Sequence, residues 1–169
     1  MLINEQIYTS RTLIRSLSEE DNFGSYLKWV QDKVNNQYIM GVSEKYTELE
    51  LRNYVRVKNL SKSAMLLGIF EKSTMLHIGN IKYEPIDFHK RFSWMGILLG
   101  EVAYRNMGLA GEVILASSHF LKEKYYINKL KLGVSEKNLH AISAYRKIGF
   151  NVESVSDLEH QLIMAKNLN

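Results

Sequence analysis

The sequence predicts an α+β domain in which a mixed β-sheet is covered by helices on both faces. Two β-type segments lie on either side of a short polar turn in the middle of the chain, which predicts a hairpin. After a further β-type segment, helical and β-type patterns alternate towards the end of the chain. The length of 169 residues fits one domain, 1–169, and a composition of 46% hydrophobic and 24% charged residues is typical of globular proteins.

The first half of the chain begins with a predicted strand at residues 12–17, which is followed by two predicted helices. Residues 18–21 combine a serine with three acidic side chains, which favours a helix start there. Apolar residues then recur at helical spacing over residues 23–30. A second helix is predicted over residues 47–60. Its apolar side is predicted to consist of Leu49, Leu51, Tyr54, Val55 and Val57.

The hairpin occupies the middle of the chain. Its two strands are predicted at residues 65–70 and 75–83, and the polar residues 71–74 form the turn between them. Residues 84–91 contain the only proline of the chain, Pro85, and are predicted as a second turn region because proline interrupts regular strands.

A third strand is predicted over residues 92–99, which are apolar almost throughout. Such a continuous apolar run predicts burial on both faces of the sheet. Gly96 lies within this strand, and a glycine there predicts a β-bulge or a close approach of another group to the backbone.

Two helices and three strands are predicted in the rest of the chain. Residues 109–124 form a helix by the spacing of their apolar side chains, and residues 129–134 form a strand. A second helix covers residues 138–148 and is ended by a glycine. Residues 152–155 and 161–165 close the chain as strands.

Composition and charge exclude several classes of protein. The chain has no cysteine, which excludes thiol catalysis, disulfides and cysteine-bound zinc. Its 22 basic and 18 acidic residues give a net charge of +4, which would help to attract an anionic ligand. The basic residues are scattered along the chain, and this argues against nucleic acid as a partner. A basic nucleic-acid-binding module nevertheless stays open as an alternative.

The predicted location is the cytoplasm, with no membrane partner. The first residues lack the basic and apolar regions of a signal peptide, and no run of 18 apolar residues occurs. The five histidines show no spacing typical of metal ligands, so we expect no metal.

The segment 104–112 has the features of an anion-binding turn. It lies between the predicted strand 92–99 and a predicted helix, whose first backbone amides have no partner within the helix. Gly108 and Gly111 would let a ligand approach the main chain, and Arg105 could contact phosphate oxygens. The alternative is an ordinary turn from a strand to a helix that needs glycine for its geometry.

The segment 138–150 is less informative by itself. Asn138, Ala141, Tyr145 and Ile148 would share one face of a helix. Asn138 could simply be the N-cap of this helix, and a tyrosine in such a position is more often a packed core residue than a catalyst.

Together and in this order, the two segments resemble the GNAT superfamily of acetyl-CoA-dependent N-acetyltransferases. The match to the pyrophosphate loop of that family comprises Arg105, Asn106, Met107, Gly108, Leu109 and Ala110. The match to its second motif comprises Asn138, Ala141, Tyr145, Gly149 and Phe150. Residues 78–81 and 96–100 are similar to the branch with the ribosomal-protein N-terminal acetyltransferases, whose relatives also acetylate amino sugars. The resemblance covers residues 9–169 and implies a mostly antiparallel sheet of about six to seven strands.

The resemblance also implies a cofactor site and a mechanism. Acetyl-CoA would be the co-substrate, with its pantetheine along Ile97, Leu98 and Leu99. Its pyrophosphate would contact Arg105, Asn106, Met107, Gly108, Leu109, Ala110 and Gly111. An amine would attack the acetyl carbon directly, and Tyr145 would protonate the departing thiolate. Asn138 would hydrogen-bond the cofactor or a bridging water.

The chain departs from the family at two positions. Trp94 stands where many relatives have a glutamate that acts as the general base, and Met107 stands where relatives often have a basic residue. The candidate replacements for the base are Glu84, Asp87, His89 and Glu101. Alternatively, the amine loses its proton to water. Because Trp94 stands at the base position, a catalytically silent acyl-CoA-binding domain stays open as an alternative.

The acceptor is predicted to be a small-molecule or peptide amine. An amino sugar, possibly linked to a nucleotide, and a protein N-terminal amine are the leading options, and the positive net charge disfavours a polyamine. Trp94, Glu84 and Asp87 are the predicted acceptor-binding residues. The acceptor surface would come from residues 23–30, residues 84–91 and the final strand pair, in a protein that is a monomer or a homodimer.

Overall fold

The computed structural model of the protein describes residues 1–32, 46–156 and 161–168. Its strands are β1 (Ile7–Tyr8), β2 (Thr12–Ser16), β3 (Met65–Glu71), β4 (His77–Asp87), β5 (Phe92–Leu99), β6 (Lys129–Ser135), β7 (Asn151–Ser156) and β8 (Gln161–Asn167). The α-helices of the described residues are α1 (Gly24–Gln31), α2 (Glu48–Leu60), α3 (Leu109–Tyr125) and α4 (Leu139–Lys147).

The strands form one sheet in the order β1-β2-β3-β4-β5-β6-β8-β7. Neighbouring strands are antiparallel except for β5 and β6, which are parallel. The prediction of a mixed, mostly antiparallel sheet is therefore confirmed. The sheet has 8 strands rather than six to seven, because the two-residue strand β1 has too short a pattern to be recognised in the sequence.

Helices cover both faces of the sheet, as predicted. Successive side chains of a strand point to opposite faces, so neighbouring residues of β2 enter different clusters. Leu13 packs with the buried residues of α1 and α2, whereas Ile14 packs with those of α3 and α4. We call these two sides of the sheet the α1/α2 face and the α3/α4 face. No helix of the described residues is long and apolar enough to cross a lipid bilayer.

Helix α1 begins later than predicted. Residues 18–21 form a turn in which the Asp21 amide donates to the carbonyl of Ser18 at 3.1 Å. The Asp21 carboxylate accepts two hydrogen bonds from the Arg15 guanidinium, at 2.8 and 2.9 Å. Burial alone would raise the pKa of Asp21, but these hydrogen bonds lower it below its usual value. Because Arg15 and the turn engage the aspartate, the helix starts only at Gly24.

Helix α2 begins where the sequence predicts. Thr47 and Glu50 form a reciprocal capping box at its first turn. Its buried side is narrower than predicted, because Leu51 and Val55 are buried while Leu49 and Val57 are 77% and 51% exposed. The predicted apolar side was therefore wrong at these two outer positions.

The predicted turn at residues 84–91 is mostly strand. β4 continues through Pro85 to Asp87, and only residues 88–91 form the turn to β5. The register between the strands shifts between Tyr83 and Ile86, and such a bulge accommodates a proline that has no amide hydrogen to donate. The bulge predicted at Gly96 is absent, because Gly96 lies directly opposite Lys82 in regular register.

β5 separates from β6 partway along its length. The two strands pair only over Phe92–Trp94, and β5 then continues to Leu99 without pairing to β6. Ser93 and Met95 are buried, but Gly96 is exposed and the three residues after it are only half-buried. The prediction that β5 is buried on both faces was therefore wrong for its second half. There the strand has no neighbouring strand on the β6 side within the described part of the chain, so its residues are more exposed.

Candidate active site

The loop after β5 leads into α3 through backbone conformations that favour an open helix start. Asn106 and Gly108 have positive φ angles of 60° and 77°, and Gly108 is the N-cap of α3. Since this N-cap has no side chain to accept from the first amides, the amides of residues 109–111 have no partner within the helix. With the positive end of the helix dipole, these amides can donate hydrogen bonds to an anion, and the binding of a phosphate there stays a prediction.

The Arg105 side chain stabilises this loop. Its Nε donates to the carbonyl of Leu99 at 2.9 Å, and its Nη2 donates to the carbonyl of Gly100 at the same distance. The guanidinium thereby joins the end of β5 to the loop, whereas the sequence suggested a contact with phosphate. These two hydrogen bonds fix where β5 ends relative to the start of α3.

A second arginine, Arg11, lies beside the loop, and the sequence gave no sign of it. It belongs to the turn between β1 and β2, and its Nη1 donates to the carbonyl of Met107 at 3.0 Å. Its Nη2 lies 2.8 Å from Glu112 in the first turn of α3. A Cβ atom placed on Gly108 would lie 4.0 Å from this Nη2. The start of α3 therefore has a cation next to it.

Glu112 balances the charge of this arginine. Its Oε1 accepts from the Ser10 hydroxyl and from the Arg11 amide, both at 3.0 Å. Burial alone would raise the pKa of Glu112, but hydrogen bonds from Thr9, Arg11 and Ser10 lower it to about 2. Glu112 is therefore ionised at neutral pH and holds the β1–β2 turn against α3.

Helix α4 packs against the first turn of α3. A Cβ atom on Gly111 would lie 3.1 Å from Ile148 Cγ2, so the glycine permits this close contact. Tyr145 lies one helical turn before Ile148, which brings the second sequence motif next to the loop of the first.

Asn138 and Tyr145 have different environments on α4. The Asn138 Oδ1 accepts from the amide of Ala141 at 3.1 Å, so Asn138 is the N-cap. Tyr145 is half-buried, with its ring centroid 5.9 Å from that of Phe150. Burial raises the pKa of Tyr145 to about 12, so its phenol keeps its proton over the neutral range.

Two glycines at the end of β5 have opposite surroundings. Among the described residues, no heavy atom lies within 4 Å of a Cβ atom placed on Gly96, which leaves open space beside the strand. A Cβ atom on Gly100 would overlap the indole ring of Trp29. The indole Nε1 donates to Glu101 Oε1 at 3.1 Å, so this candidate base is engaged by Trp29.

We expect alanine at these two glycines to have different effects. Gly100→Ala should destabilise the protein by about 1–3 kcal/mol, because the new methyl group cannot fit beside the Trp29 ring. Gly96→Ala is the matched control and should leave the stability unchanged, because its methyl group enters open space. Urea unfolding of both variants measures the difference. Equal stabilities of the two variants would contradict the packing described here.

The two predicted acceptor carboxylates, Glu84 and Asp87, each have hydrogen-bond partners within the protein. Glu84 Oε1 and Oε2 accept from Lys58 Nζ at 2.5 and 2.7 Å, and Lys82 Nζ lies 3.2 Å from the same carboxylate. Burial alone would raise the pKa of Glu84, but these lysines lower it. Asp87 accepts from the Lys90 amide at 2.8 Å and closes the turn before β5. Trp94 is half-buried on the same strand as Gly96.

Asp87 lies directly opposite Phe92, and Phe92 is four residues before Gly96. Four residues of a strand span roughly 13 Å, so Asp87 is about that far from Gly96 along β5. His89 is exposed in the turn beyond it. The expected acceptor surface at residues 23–30 is also wrong in part, because four of its apolar side chains are packed in the core. These buried residues are Phe23, Tyr26, Trp29 and Val30.

Within residues 1–32, 46–156 and 161–168, no three histidine, cysteine or acidic side chains are grouped in a way that could hold a metal ion. His160, which the sequence analysis included among the five histidines, lies outside the described residues.

Comparison with known families identifies the class of protein to which this α+β fold belongs. Residues 11–151 match the acetyltransferase (GNAT) domain. The chain therefore belongs to this family, and the resemblance seen in the sequence is confirmed.

Several solved structures have a similar fold. A spermidine N-acetyltransferase from Vibrio cholerae, in complex with CoA and spermine, is 15% identical with a TM-score of 0.81, over 94% of this chain and 96% of that one. An acetyltransferase from Salmonella typhimurium that modifies the N-terminal serine of a ribosomal protein is 16% identical with a TM-score of 0.78, over 98% of this chain and 100% of that one. At these identities the likeness extends to the fold alone.

Among curated sequences, a spermine/spermidine N(1)-acetyltransferase from Bacillus subtilis is 28% identical over 75 residues. The match covers 44% of this chain and 49% of that protein, so it spans about half the length of the relative.

Proposed function

We propose that the protein transfers an acetyl group from acetyl-CoA to a primary amine in a ternary complex. The observation that carries this proposal is the separation of β5 from β6 after Trp94, next to the uncapped start of α3. An unpaired strand edge offers backbone donors and acceptors to the amides of pantetheine. The helix start offers amides and a positive dipole to the pyrophosphate.

In this proposal each part of acetyl-CoA has its own binding residues. The backbone of Ile97, Leu98 and Leu99 binds pantetheine along the open edge of β5. The amides of residues 107–111 bind the pyrophosphate, and the Arg11 guanidinium, which is paired with Glu112, lies beside it. Arg105 has a positioning role, because its hydrogen bonds to Leu99 and Gly100 hold the strand and the loop in their relative places.

The reaction is an acyl transfer by direct attack. The lone pair of the neutral amine attacks the acetyl carbonyl carbon, the C–N bond forms and the C–S bond breaks. A backbone amide on the open edge of β5 donates to the carbonyl oxygen as negative charge develops there. Tyr145 donates its phenolic proton to the departing thiolate. The Oδ1 of Asn138 caps the helix, so its side-chain nitrogen Nδ2 would contact the cofactor or a water.

The proton that the amine loses passes to water in this proposal. Glu84 is held by Lys58 and Lys82, and Glu101 is held by the indole of Trp29. Both carboxylates already accept hydrogen bonds from these side chains, so neither is positioned as the general base. Trp94, at the position of the family's glutamate, forms a wall of the acceptor site instead.

Two measurements test the function. CoA should raise the melting temperature in a concentration-dependent manner, while adenosine alone should have little effect. Thiol release from acetyl-CoA should then depend on an added amine, with an amino sugar, a peptide with a free N-terminus and spermidine as the first acceptors. Stabilisation by CoA without transfer to any amine would support the catalytically silent domain instead.

A further inference from the structure

Charged and polar side chains border the open space beside Gly96. The assignment of this space to the acceptor rests on the acetyl transfer proposed above. Leu98 of β5 packs with the residues of α1 and α2, so Gly96, two residues before it, also points to the α1/α2 face. Lys82 of β4 lies directly opposite Gly96, and Asn80 lies directly opposite Leu98. These two β4 side chains therefore flank the space on the same face.

Lys82 brings an incompletely balanced positive charge to this space. Its Nζ lies 3.2 Å from Glu84, but both oxygens of that carboxylate already accept from Lys58. One carboxylate thus faces two ammonium groups, which leaves a net positive charge. The side chain of Lys82 is 38% exposed, and its ammonium group also forms a hydrogen bond with Tyr54.

Asn80 adds a buried donor without a partner. Its side chain is 5% exposed, and its Oδ1 lies 2.9 Å from Nε2 of His77. Its amide nitrogen Nδ2 has no hydrogen-bond partner among the described residues. This nitrogen is enclosed by protein, so the Asn80 side chain must turn towards the space before a ligand oxygen can accept its hydrogen bond.

We propose that the acceptor is a primary amine that also carries an anionic group, a carboxylate or a phosphate, and that Lys82 and Asn80 bind this group beside Gly96. Both side chains donate hydrogen bonds, which suits anionic oxygens and does not suit a second ammonium group. Trp94 lies on the same face two residues before Gly96, at the side of the space nearer the start of β5. The acceptor therefore differs in charge from a polyamine.

The experiment compares matched acceptors that differ by one anionic group. Glucosamine and glucosamine 6-phosphate test the phosphate, cadaverine and lysine test the carboxylate, and spermidine represents a polycation. The wild-type protein should prefer the anionic member of at least one pair by about tenfold or more in kcat/KM. A preference in only one pair identifies the anionic group.

Variants of Lys82 assign the preference to its charge. Lys82→Met should remove the preference while the KM for acetyl-CoA changes less than about twofold, and Lys82→Arg should retain it because the charge remains. Lys62→Met, which changes an exposed lysine between α2 and β3, is the matched control and should behave as wild type.

Two results would overturn the inference in distinguishable ways. Equal or better use of spermidine and the neutral amines, or a preference that survives in Lys82→Met, would refute the anionic acceptor and leave acetyl transfer intact. Stabilisation by CoA without transfer to any of the five amines would refute the proposed function, and the inference with it.

Discussion

Replacement of Gly108 by aspartate is expected to abolish the binding of CoA. The backbone at Gly108 has a φ angle of 77° and leads directly into the free amides of α3. A carboxylate there would stand at the positive end of the helix and accept from the same amides as a phosphate. It would also lie within reach of Arg11, whose Nη2 is 4.0 Å from the position of the new Cβ. We expect the Kd for CoA to rise by about 100-fold or more, because a bound anion faces a fixed anion.

Gly108→Asn is the matched control for this prediction. Asparagine has nearly the size of aspartate and tolerates positive φ angles, but it carries no charge. Its Kd should stay within about tenfold of the wild-type value, and titration calorimetry with CoA measures both variants. The melting temperature without ligand shows whether each variant is folded. If the two variants bind CoA equally well, the anion site does not lie at the start of α3.

The elements with strong local patterns could be predicted from the sequence. β5 extends over Phe92–Leu99 and α3 over Leu109–Tyr125, within one residue of the predicted bounds. In both cases the apolar spacing and the flanking turn residues are sufficient, because they lie within the segment itself. The start of α1 could not be predicted in this way, because Asp21 is engaged by Arg15 and not by the first turn of a helix.

The parts of the site that depend on distant residues could not be predicted. Arg11 and Glu112 are 101 residues apart in the chain, and the packing of α3 against β1 and β2 brings the β1–β2 turn to the start of the helix. The local sequence does not distinguish Gly96 from Gly100, yet Gly96 borders open space and Gly100 contacts the Trp29 ring. Such differences arise from tertiary packing, on which a local pattern carries no information.

Local charge is a further property that the composition does not determine. The net charge of +4 was the reason for disfavouring a polyamine acceptor, but an average over the chain says nothing about one groove. The relevant charges are Lys58, Lys82 and Glu84, which come from α2 and β4. Their arrangement gives the structural reason for an anionic acceptor, and the kinetic comparison of matched amines tests it.

The Tyr145→Phe variant is expected to lower kcat by about 10²- to 10⁴-fold while the KM for acetyl-CoA changes little. The variant removes only the hydroxyl group, so the packing of the ring against Phe150 is retained. Without a proton donor, the thiolate must leave as an anion or take its proton from water. Single-turnover kinetics of acetyl transfer measure the chemical step directly and separate it from product release.

Tyr125→Phe provides the control, because Tyr125 is also a partly buried tyrosine, at the end of α3, and its pKa is likewise raised by burial. It should have the wild-type kcat, since it lies at the opposite end of α3 from Gly108. The pH profile gives an independent check. With the pKa of Tyr145 raised to about 12, the proton donor stays protonated, and kcat should not fall between pH 7 and about pH 10 in the wild-type protein. A wild-type kcat in Tyr145→Phe would exclude this residue as the proton donor, because no other property of the side chain has been changed.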